Sequence, residues 1–233
     1  ETVLFLAMLL ALYMISISNN DQTIDTDNAG GGSFDAIKNS LQINEVRSIA
    51  SYVWIWTALM TVQWITAINI VEDWSQNSEQ RLRFFAIMEQ VISPLTLIVQ
   101  LFFTNLIIKK IGIKNILLSY GILFCSAFIL YGLIPSIISV GVVTVFLRVF
   151  EYGINKPTRE TIFSTFKKND RYKSTVFIDT FISRFGDLSG SGFIAIGKLT
   201  SIAANSLPLI AIPIAGFLSM IGIRISRNIN TKD

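Results

Sequence analysis

The sequence predicts an all-α integral membrane protein with seven membrane-spanning helices. Of its 233 residues, 52% are hydrophobic and 15% are charged, whereas about a quarter of the residues in a soluble domain are charged. The apolar residues are gathered into blocks of nearly the length, about 20 residues, that an α-helix needs to cross a bilayer. Short polar loops separate most of these blocks, so successive helices are expected to run antiparallel.

The first apolar block, residues 1–18, is expected to be a membrane helix. It reads "TVLFLAMLLALYMISIS" after Glu1, without the basic leader or the small-residue cleavage site of a signal peptide. Residues 19–48 are polar and Gly-rich, as in "NNDQTIDTDNAGGGSF", and this composition predicts a cytoplasmic linker.

Six further blocks within residues 49–227 predict a six-helix transmembrane bundle, followed by a cytoplasmic tail over residues 228–233. The predicted spans are residues 49–71, 84–108, 116–134, 137–152, 176–200 and 207–225. We therefore expect the bundle to be the main folded part of the chain.

The distribution of Lys and Arg over alternate loops predicts the orientation. One set of connections carries most of the positive charges: Lys38, Arg47, Lys109, Lys110, Lys114, Lys167, Lys168, Arg171, Lys173, Arg224, Arg227 and Lys232. The opposite set carries Arg81, Arg83 and Lys198. Because basic loops stay in the cytoplasm, we expect the first set and the C-terminus there, with the protein in the inner (plasma) membrane.

Several function classes lack the residues that they need. The chain has no His and one cysteine, Cys125, which leaves no material for zinc sites, disulfides or Cys/His nucleophiles. No glycine-rich phosphate-binding loop precedes a Lys in the pattern of ATP-hydrolysing pumps. The net charge of +3 and the lack of a basic stripe with aromatics argue against nucleic acid as a partner. No enzyme activity, cofactor or metal is expected.

Charged residues interrupt the apolar pattern in "SIISVGVVTVFLRVFEYGINKPTRETIF", residues 136–163. If the helix continues past Tyr152, Arg148, Glu151, Asn155 and Arg159 lie within an arc of about 80°. Such a stripe must face protein or water, because a charge that faces lipid is unfavourable. Alternatively, the helix ends in a charged loop. Pro157 should kink or end the helix near Gly153, the residue four positions earlier.

The next span, "STVFIDTFISRFGDLSGSGF", contains Asp179, Arg184 and Asp187. Opposite charges in adjacent helices suggest that Arg148 pairs with Asp179 or Asp187, and Arg184 can pair with Asp187 at i and i+3. Gly186 and Gly190 form a GxxxG spacing that allows another backbone to approach closely. This spacing fits either close helix packing alone or a helix that lines a polar interior.

A third set of polar residues shares one helix face, namely Glu89, Ser93, Thr96, Gln100 and Thr104. Side chains on this face either line a cavity or hydrogen-bond to neighbouring helices, since lipid offers no hydrogen-bonding partner. Both readings stay open at the level of sequence.

The stretch "NKPTRETIFSTFKKNDRYKSTVFIDTFISRFGD" resembles the bacterial ATP:ADP antiporter (nucleotide translocase) family, a branch of the major facilitator superfamily. The matching residues are Asn155, Lys156, Pro157, Arg159, Glu160, Tyr172, Lys173, Phe177, Ile178, Asp179, Thr180, Arg184, Gly186 and Asp187. "GGSF" before the second span and the "TNLIIKKIG" turn also resemble that family. The resemblance implies a twelve-helix transporter, of which this chain holds the sixth helix, the linker and the second half.

By this resemblance, the chain is expected to exchange or import a nucleotide-like or other anionic solute by alternating access, with the missing N-terminal half as its partner. Candidate substrate-binding or translocation residues are Glu89, Arg148, Glu151, Asn155, Lys156, Arg159, Asp179, Arg184 and Asp187. The cations among them can meet phosphate oxygens, and the carboxylates can hold those cations or carry a proton. The alternative is a non-transporting membrane assembly protein whose buried charges fix the packing of helices.

Overall fold

The structure, a computed structural model, describes residues 44–164, 168–202 and 206–230. The predicted helix over residues 1–18 and residues 19–43 of the predicted linker lie outside the described residues. Within the described ranges all regular secondary structure is helical. The all-α prediction is therefore confirmed for this part of the chain.

Eight α-helices and three short π-helical segments make up the described part. The α-helices are α1 (Asn44–Trp74), α2 (Ser78–Ile98), α3 (Thr104–Leu133), α4 (Ile137–Phe150), α5 (Lys156–Phe163), α6 (Lys168–Phe177), α7 (Ser183–Leu199) and α8 (Leu207–Asn230). The π segments are π1 (Val99–Phe103) between α2 and α3, π2 (Glu151–Asn155) between α4 and α5, and π3 (Ile178–Ile182) between α6 and α7.

The helix boundaries differ from the predicted spans mainly at the ends. Helix α1 begins at Asn44 and α8 extends to Asn230, so helical structure reaches into the predicted linker and tail. Capping residues start two of the other helices: the Asn77 side chain accepts a hydrogen bond from the Glu79 N–H at 2.9 Å, and the Ser136 hydroxyl accepts one from the Ser139 N–H. Such caps satisfy amide groups that have no partner inside the helix.

A sharp change of direction at Gly112 divides the helical run from Ser78 to Leu133. The run has 56 residues and would be about 84 Å long if straight, far more than the roughly 30 Å of a bilayer's hydrocarbon core. Gly112 has a φ of +79°, a conformation that favours glycine because a Cβ atom would clash there. The predicted turn at "KKIGIK" is therefore present between two helical spans.

The core forms where α1, α3, α4, α7 and α8 meet. Helix α1 packs against α7 and α8, α8 packs against α3, and α2 packs against α4. Large side chains fill the centre and are almost completely buried, among them Tyr52, Tyr120, Phe124, Phe128 and Tyr131. Many other large apolar side chains point outward, including Leu82, Leu101, Phe102, Ile138 and Leu188. An outer surface of this kind is expected for a protein surrounded by lipid rather than water.

Four helical stretches of the described chain are long and apolar enough to cross a membrane. They are Val46–Trp74, Ser78–Leu133, Ile137–Phe163 and Leu207–Ile225, and the second contains the turn at Gly112. These helices are compatible with an all-α, multi-pass membrane protein. The predicted span over residues 176–200 is helical but is not one of the four, and it carries Asp179, Arg184, Asp187 and Lys198.

Helices α1 and α7 approach closely along the predicted GxxxG face. A Cβ atom added to Gly190 would lie 2.4 Å from the Ala58 carbonyl oxygen, and one added to Gly186 would lie 2.7 Å from the Trp54 carbonyl oxygen. Real Cβ atoms do not come so close to backbone oxygens, because the atoms would overlap. The close helix packing predicted from this spacing is therefore confirmed.

Candidate functional site

Arg148 forms an ion pair with Glu89 across the interface between α4 and α2. The guanidinium Nη1 contacts the Glu89 carboxylate, and the two side chains remain 26% and 49% exposed. Arg148 lies about 16 Å along its helix from Ile137, a distance of about half the thickness of a bilayer's hydrocarbon core. The predicted pairing of Arg148 with Asp179 or Asp187 is wrong, because α2 packs against α4 and supplies Glu89 instead.

An open cavity of about 330 Å³ adjoins this ion pair. Its lining residues come from α1, α4, π2 and α7, and they are Met60, Thr61, Gln63, Trp64, Arg148, Tyr152 and Asp187. Arg148 and Asp187, the residues expected to pair directly, thus share the wall of one cavity. A polar interior between these helices remains a prediction.

Asp187 is held in the cavity wall by two polar contacts. Its Oδ1 accepts a hydrogen bond from the Thr61 hydroxyl at 3.0 Å, and its Oδ2 accepts one from Arg184 Nη1 at 3.3 Å. The predicted Arg184–Asp187 pair is therefore present. Arg184 is 83% exposed, so its guanidinium is available to other anions as well.

Gln63 connects the cavity wall to the core. Its Nε2 donates to the Tyr131 hydroxyl at 2.9 Å and to the Thr144 hydroxyl at 3.1 Å. All three side chains are buried or nearly so. A side-chain amide without hydrogen-bonding partners is unfavourable in an apolar interior. The two bonds of Gln63 therefore determine which face of α1 is turned towards the cavity.

Glu151, Asn155 and Arg159 form a second, buried network. Arg159 Nη2 lies 2.7 Å from Glu151 Oε1, and Asn155 Nδ2 donates to Glu151 Oε2 at 2.5 Å. The side chains of Arg159 and Glu151 are only 8% and 2% exposed. These residues do not line the open cavity, so the predicted stripe is divided into an accessible pair at Arg148 and a buried pair at Glu151.

Two aromatic residues of α1 complete the buried network. The Tyr52 hydroxyl donates to Asn155 Oδ1 at 3.2 Å, and the Arg159 guanidinium carbon lies 4.7 Å from the centre of the Trp56 ring. Neither Tyr52 nor Trp56 is among the candidate residues predicted from the sequence. The one available signal was the i, i+4 spacing of Tyr52 and Trp56, which places both on one face of α1 but does not identify their partners.

The π segments explain why the stripe is divided. In π2 the Lys156 N–H bonds to the Glu151 carbonyl, a spacing of five residues instead of four, which changes the phase of the following side chains relative to Arg148. Pro157 has no N–H to donate to a carbonyl of π2. Two side chains of the preceding helical run donate there instead: Gln100 to the Tyr152 carbonyl at 3.0 Å and Thr104 to the Gly153 carbonyl at 2.5 Å.

The predicted polar face from Glu89 to Thr104 therefore contacts the helix that contains Arg148. Glu89, Gln100 and Thr104 all bond to residues of α4 or π2, which confirms the reading that this face hydrogen-bonds to a neighbouring helix. The Glu89 side chain is also 49% exposed. The Thr96 hydroxyl oxygen is buried and has no partner among the described atoms.

The remaining predicted site residues are exposed. Lys156 and Asp179 are solvent-accessible and take part in none of the ion pairs between described side chains. Neither residue lines the cavity of Arg148. The structure thus brings Arg148 and Asp187 together in the wall of one cavity, each with its ion-pair partner, Glu89 and Arg184, and leaves Lys156 and Asp179 out of these contacts.

Comparison with protein-family models, with characterised proteins and with solved structures gives no match. The likeness to the ATP:ADP antiporters consequently depends on the residues quoted from the sequence.

Proposed function

We propose that this chain is the second half of a secondary transporter that moves an anionic, nucleotide-like solute by alternating access. The observation that carries the proposal is the partly exposed Arg148–Glu89 pair, in which Arg148 lines a cavity and lies near the middle of the apolar helical stretch Ile137–Phe163. Ionisable residues at such a depth are unfavourable in lipid and are characteristic of solute pathways.

The chemistry of this cavity suits an anion that competes with a carboxylate. An arginine binds carboxylate and phosphate oxygens in the same planar geometry, so a phosphate group can replace Glu89 on the Arg148 guanidinium. Tyr152 adds an aromatic ring 5.9 Å from that guanidinium, and Trp64 lines the same cavity. Aromatic rings offer a stacking surface to a nucleobase, while Arg184 offers a second exposed cation.

The proposed partner is the first half of the same transporter. Glu89, Arg184 and Asp187 retain exposed parts on the described bundle, and such groups are unfavourable when they face hydrocarbon. A second helical half placed over them would enclose the cavity between two bundles, as alternating access about a site at the membrane midplane requires.

The proposal is tested by flux measurements on the natural gene product in proteoliposomes. Vesicles loaded with ADP should take up radiolabelled ATP, and the Arg148→Gln variant should lower uptake by about tenfold or more, the effect of losing one charge-assisted contact. Arg83→Gln, which removes an exposed cation near the start of α2, is the matched control and should leave uptake unchanged.

Uptake should also require both halves. The 233-residue chain alone is expected to insert without transporting, and co-expression with its first half should restore exchange. Absence of flux for nucleotides, inorganic phosphate and small carboxylates would contradict the proposal.

The buried Glu151–Arg159 network favours a second candidate, a non-transporting assembly protein whose charges fix helix packing. This candidate predicts that Arg148→Gln and Arg159→Met lower thermal stability to a similar extent and that neither the unmodified protein nor any variant gives flux. A transporter instead predicts that Arg148→Gln removes flux from a protein that remains folded.

A further inference from the structure

A second candidate site lies on a different face of α1 from the Arg148 cavity, where two apolar cavities follow one another along the helix. The first, of about 310 Å³, is lined by α1 and by Phe177, Phe181 and Phe185. The second, of about 330 Å³, lies between α1, α7 and α8 and includes Phe193 and Phe217. Trp54 lines both cavities, so they adjoin at this residue, and we refer to the two cavities together as the groove.

The groove has a cation at one end and apolar walls along the rest of its length. Arg47 lines the first cavity, is exposed, and donates through Nη2 to the Asn44 side chain at 2.7 Å. The ion pairs between described side chains do not include Arg47. It precedes the apolar block of α1 by two residues, which is the position of the lipid headgroups if α1 crosses the membrane.

The length of the groove matches one leaflet of a bilayer. From Ala50 to Val62, the apolar lining of α1 covers about 18 Å at 1.5 Å per residue, and one leaflet contributes about 15 Å of hydrocarbon. A headgroup beside Arg47 would therefore place its acyl chain along the phenylalanines and past Trp54. The Trp54 ring is held in place by a hydrogen bond from Nε1 to the Ser189 hydroxyl at 3.0 Å.

We propose that this groove binds one anionic phospholipid, with its phosphate at Arg47 and an acyl chain in the two cavities beside Trp54. Charge complementarity selects an anionic headgroup, because the groove ends in a cation. The aromatic and aliphatic walls match a flexible hydrocarbon chain. The site is independent of the Arg148 cavity, so it does not depend on the proposed transport activity.

The experiment uses tryptophan quenching by lipids with brominated acyl chains. The full chain is reconstituted in phosphatidylcholine vesicles, and brominated phosphatidylglycerol or brominated phosphatidylcholine is titrated in. We expect phosphatidylglycerol to quench at concentrations about fivefold lower, the contribution of one interfacial arginine. The quenching specific to phosphatidylglycerol should disappear in Trp54→Phe, because Trp54 is the tryptophan that lines the groove.

Variants of the cation complete the test. Arg47→Gln should remove the fivefold preference, Arg47→Lys should keep most of it, and Arg83→Gln, at an exposed arginine outside the groove, should have no effect. Equal quenching by the two lipids in the unmodified chain would overturn the proposal. So would quenching that persists unchanged in Trp54→Phe, or an absence of quenching because another occupant, such as residues 1–43 of this chain, fills the groove.

Discussion

Arg148 and Arg159 lie on the same helical run, yet their surroundings give them different roles. Arg148 is partly exposed and pairs with a carboxylate from another helix, so the pair can open without unfolding the bundle. Arg159 is buried, and its partner Glu151 belongs to the same run and also bonds to Asn155. A buried charge cannot lose its partner without a large penalty, which makes the Glu151–Arg159 pair a fixed part of the core.

A double-mutant cycle on the buried pair tests this distinction at the residue scale. Glu151→Gln or Arg159→Met alone should lower the free energy of unfolding by about 3 to 5 kcal/mol, because each leaves one buried charge without its partner. The double variant should recover part of that loss. Thermal unfolding in detergent gives the comparison, with Lys156→Gln, an exposed cation beside the network, as the control expected to have little effect. Strictly additive losses would mean that the two residues are not coupled.

At the scale of helices, close backbone approach between α1 and α7 determines how the cavity wall is built. Gly186 and Gly190 contact the stretch of α1 from Trp54 to Thr61, and this contact brings Asp187 within hydrogen-bonding distance of the Thr61 hydroxyl. The position of Asp187 in the cavity wall thus depends on the glycine face of α7, although the two glycines carry no polar side chain of their own. A larger side chain on that face should separate the helices and displace Asp187.

Two glycines of α7 provide a matched test of this dependence. Gly190→Ala places a Cβ atom 2.4 Å from the Ala58 carbonyl oxygen, whereas Gly192→Ala meets nothing within 4 Å. We expect Gly190→Ala to lower the free energy of unfolding by about 1 to 3 kcal/mol, as overpacking does. Gly192→Ala should be neutral or slightly stabilising, because alanine favours the helix. Equal melting temperatures for the two variants would show that α1 and α7 do not pack through Gly190.

The sequence was sufficient for the features that depend on local pattern. Apolar blocks indicated the helical spans, the i, i+3 spacing indicated the Arg184–Asp187 pair, and GxxxG indicated a close helix contact. The partner of Arg148 could not be predicted, because it depends on which helix packs against α4. Nor could the division of the stripe, since an ideal period of 100° per residue ignores the π segment at Glu151–Asn155.

At the scale of the whole molecule, polar groups are concentrated at particular places. One face of α1 lines the Arg148 cavity, while a different face of α1 lines the groove that ends at Arg47. Large apolar side chains cover much of the remaining surface. Such a protein has a defined orientation in a membrane only if its loops on the two sides of the membrane differ in positive charge. The exposed lysines near Gly112 supply such a difference.

The orientation can be tested with single cysteines at the two ends of the span between the α1–α2 turn and the turn at Gly112. Lys109, Lys110 and Lys114 surround the turn at Gly112, whereas the α1–α2 turn near Gln76 is followed by two arginines, Arg81 and Arg83. By the positive-inside rule, the larger number of basic residues places Lys110 in the cytoplasm and Gln76 outside. In a Cys125→Ser background, Gln76→Cys should react with an impermeant thiol reagent in intact cells, and Lys110→Cys only in inverted vesicles. Ala127→Cys, which is 5% exposed, should react in neither preparation until the protein is denatured. If Gln76→Cys and Lys110→Cys were labelled from the same side, the helices between them could not form a single crossing, and the predicted topology would be wrong.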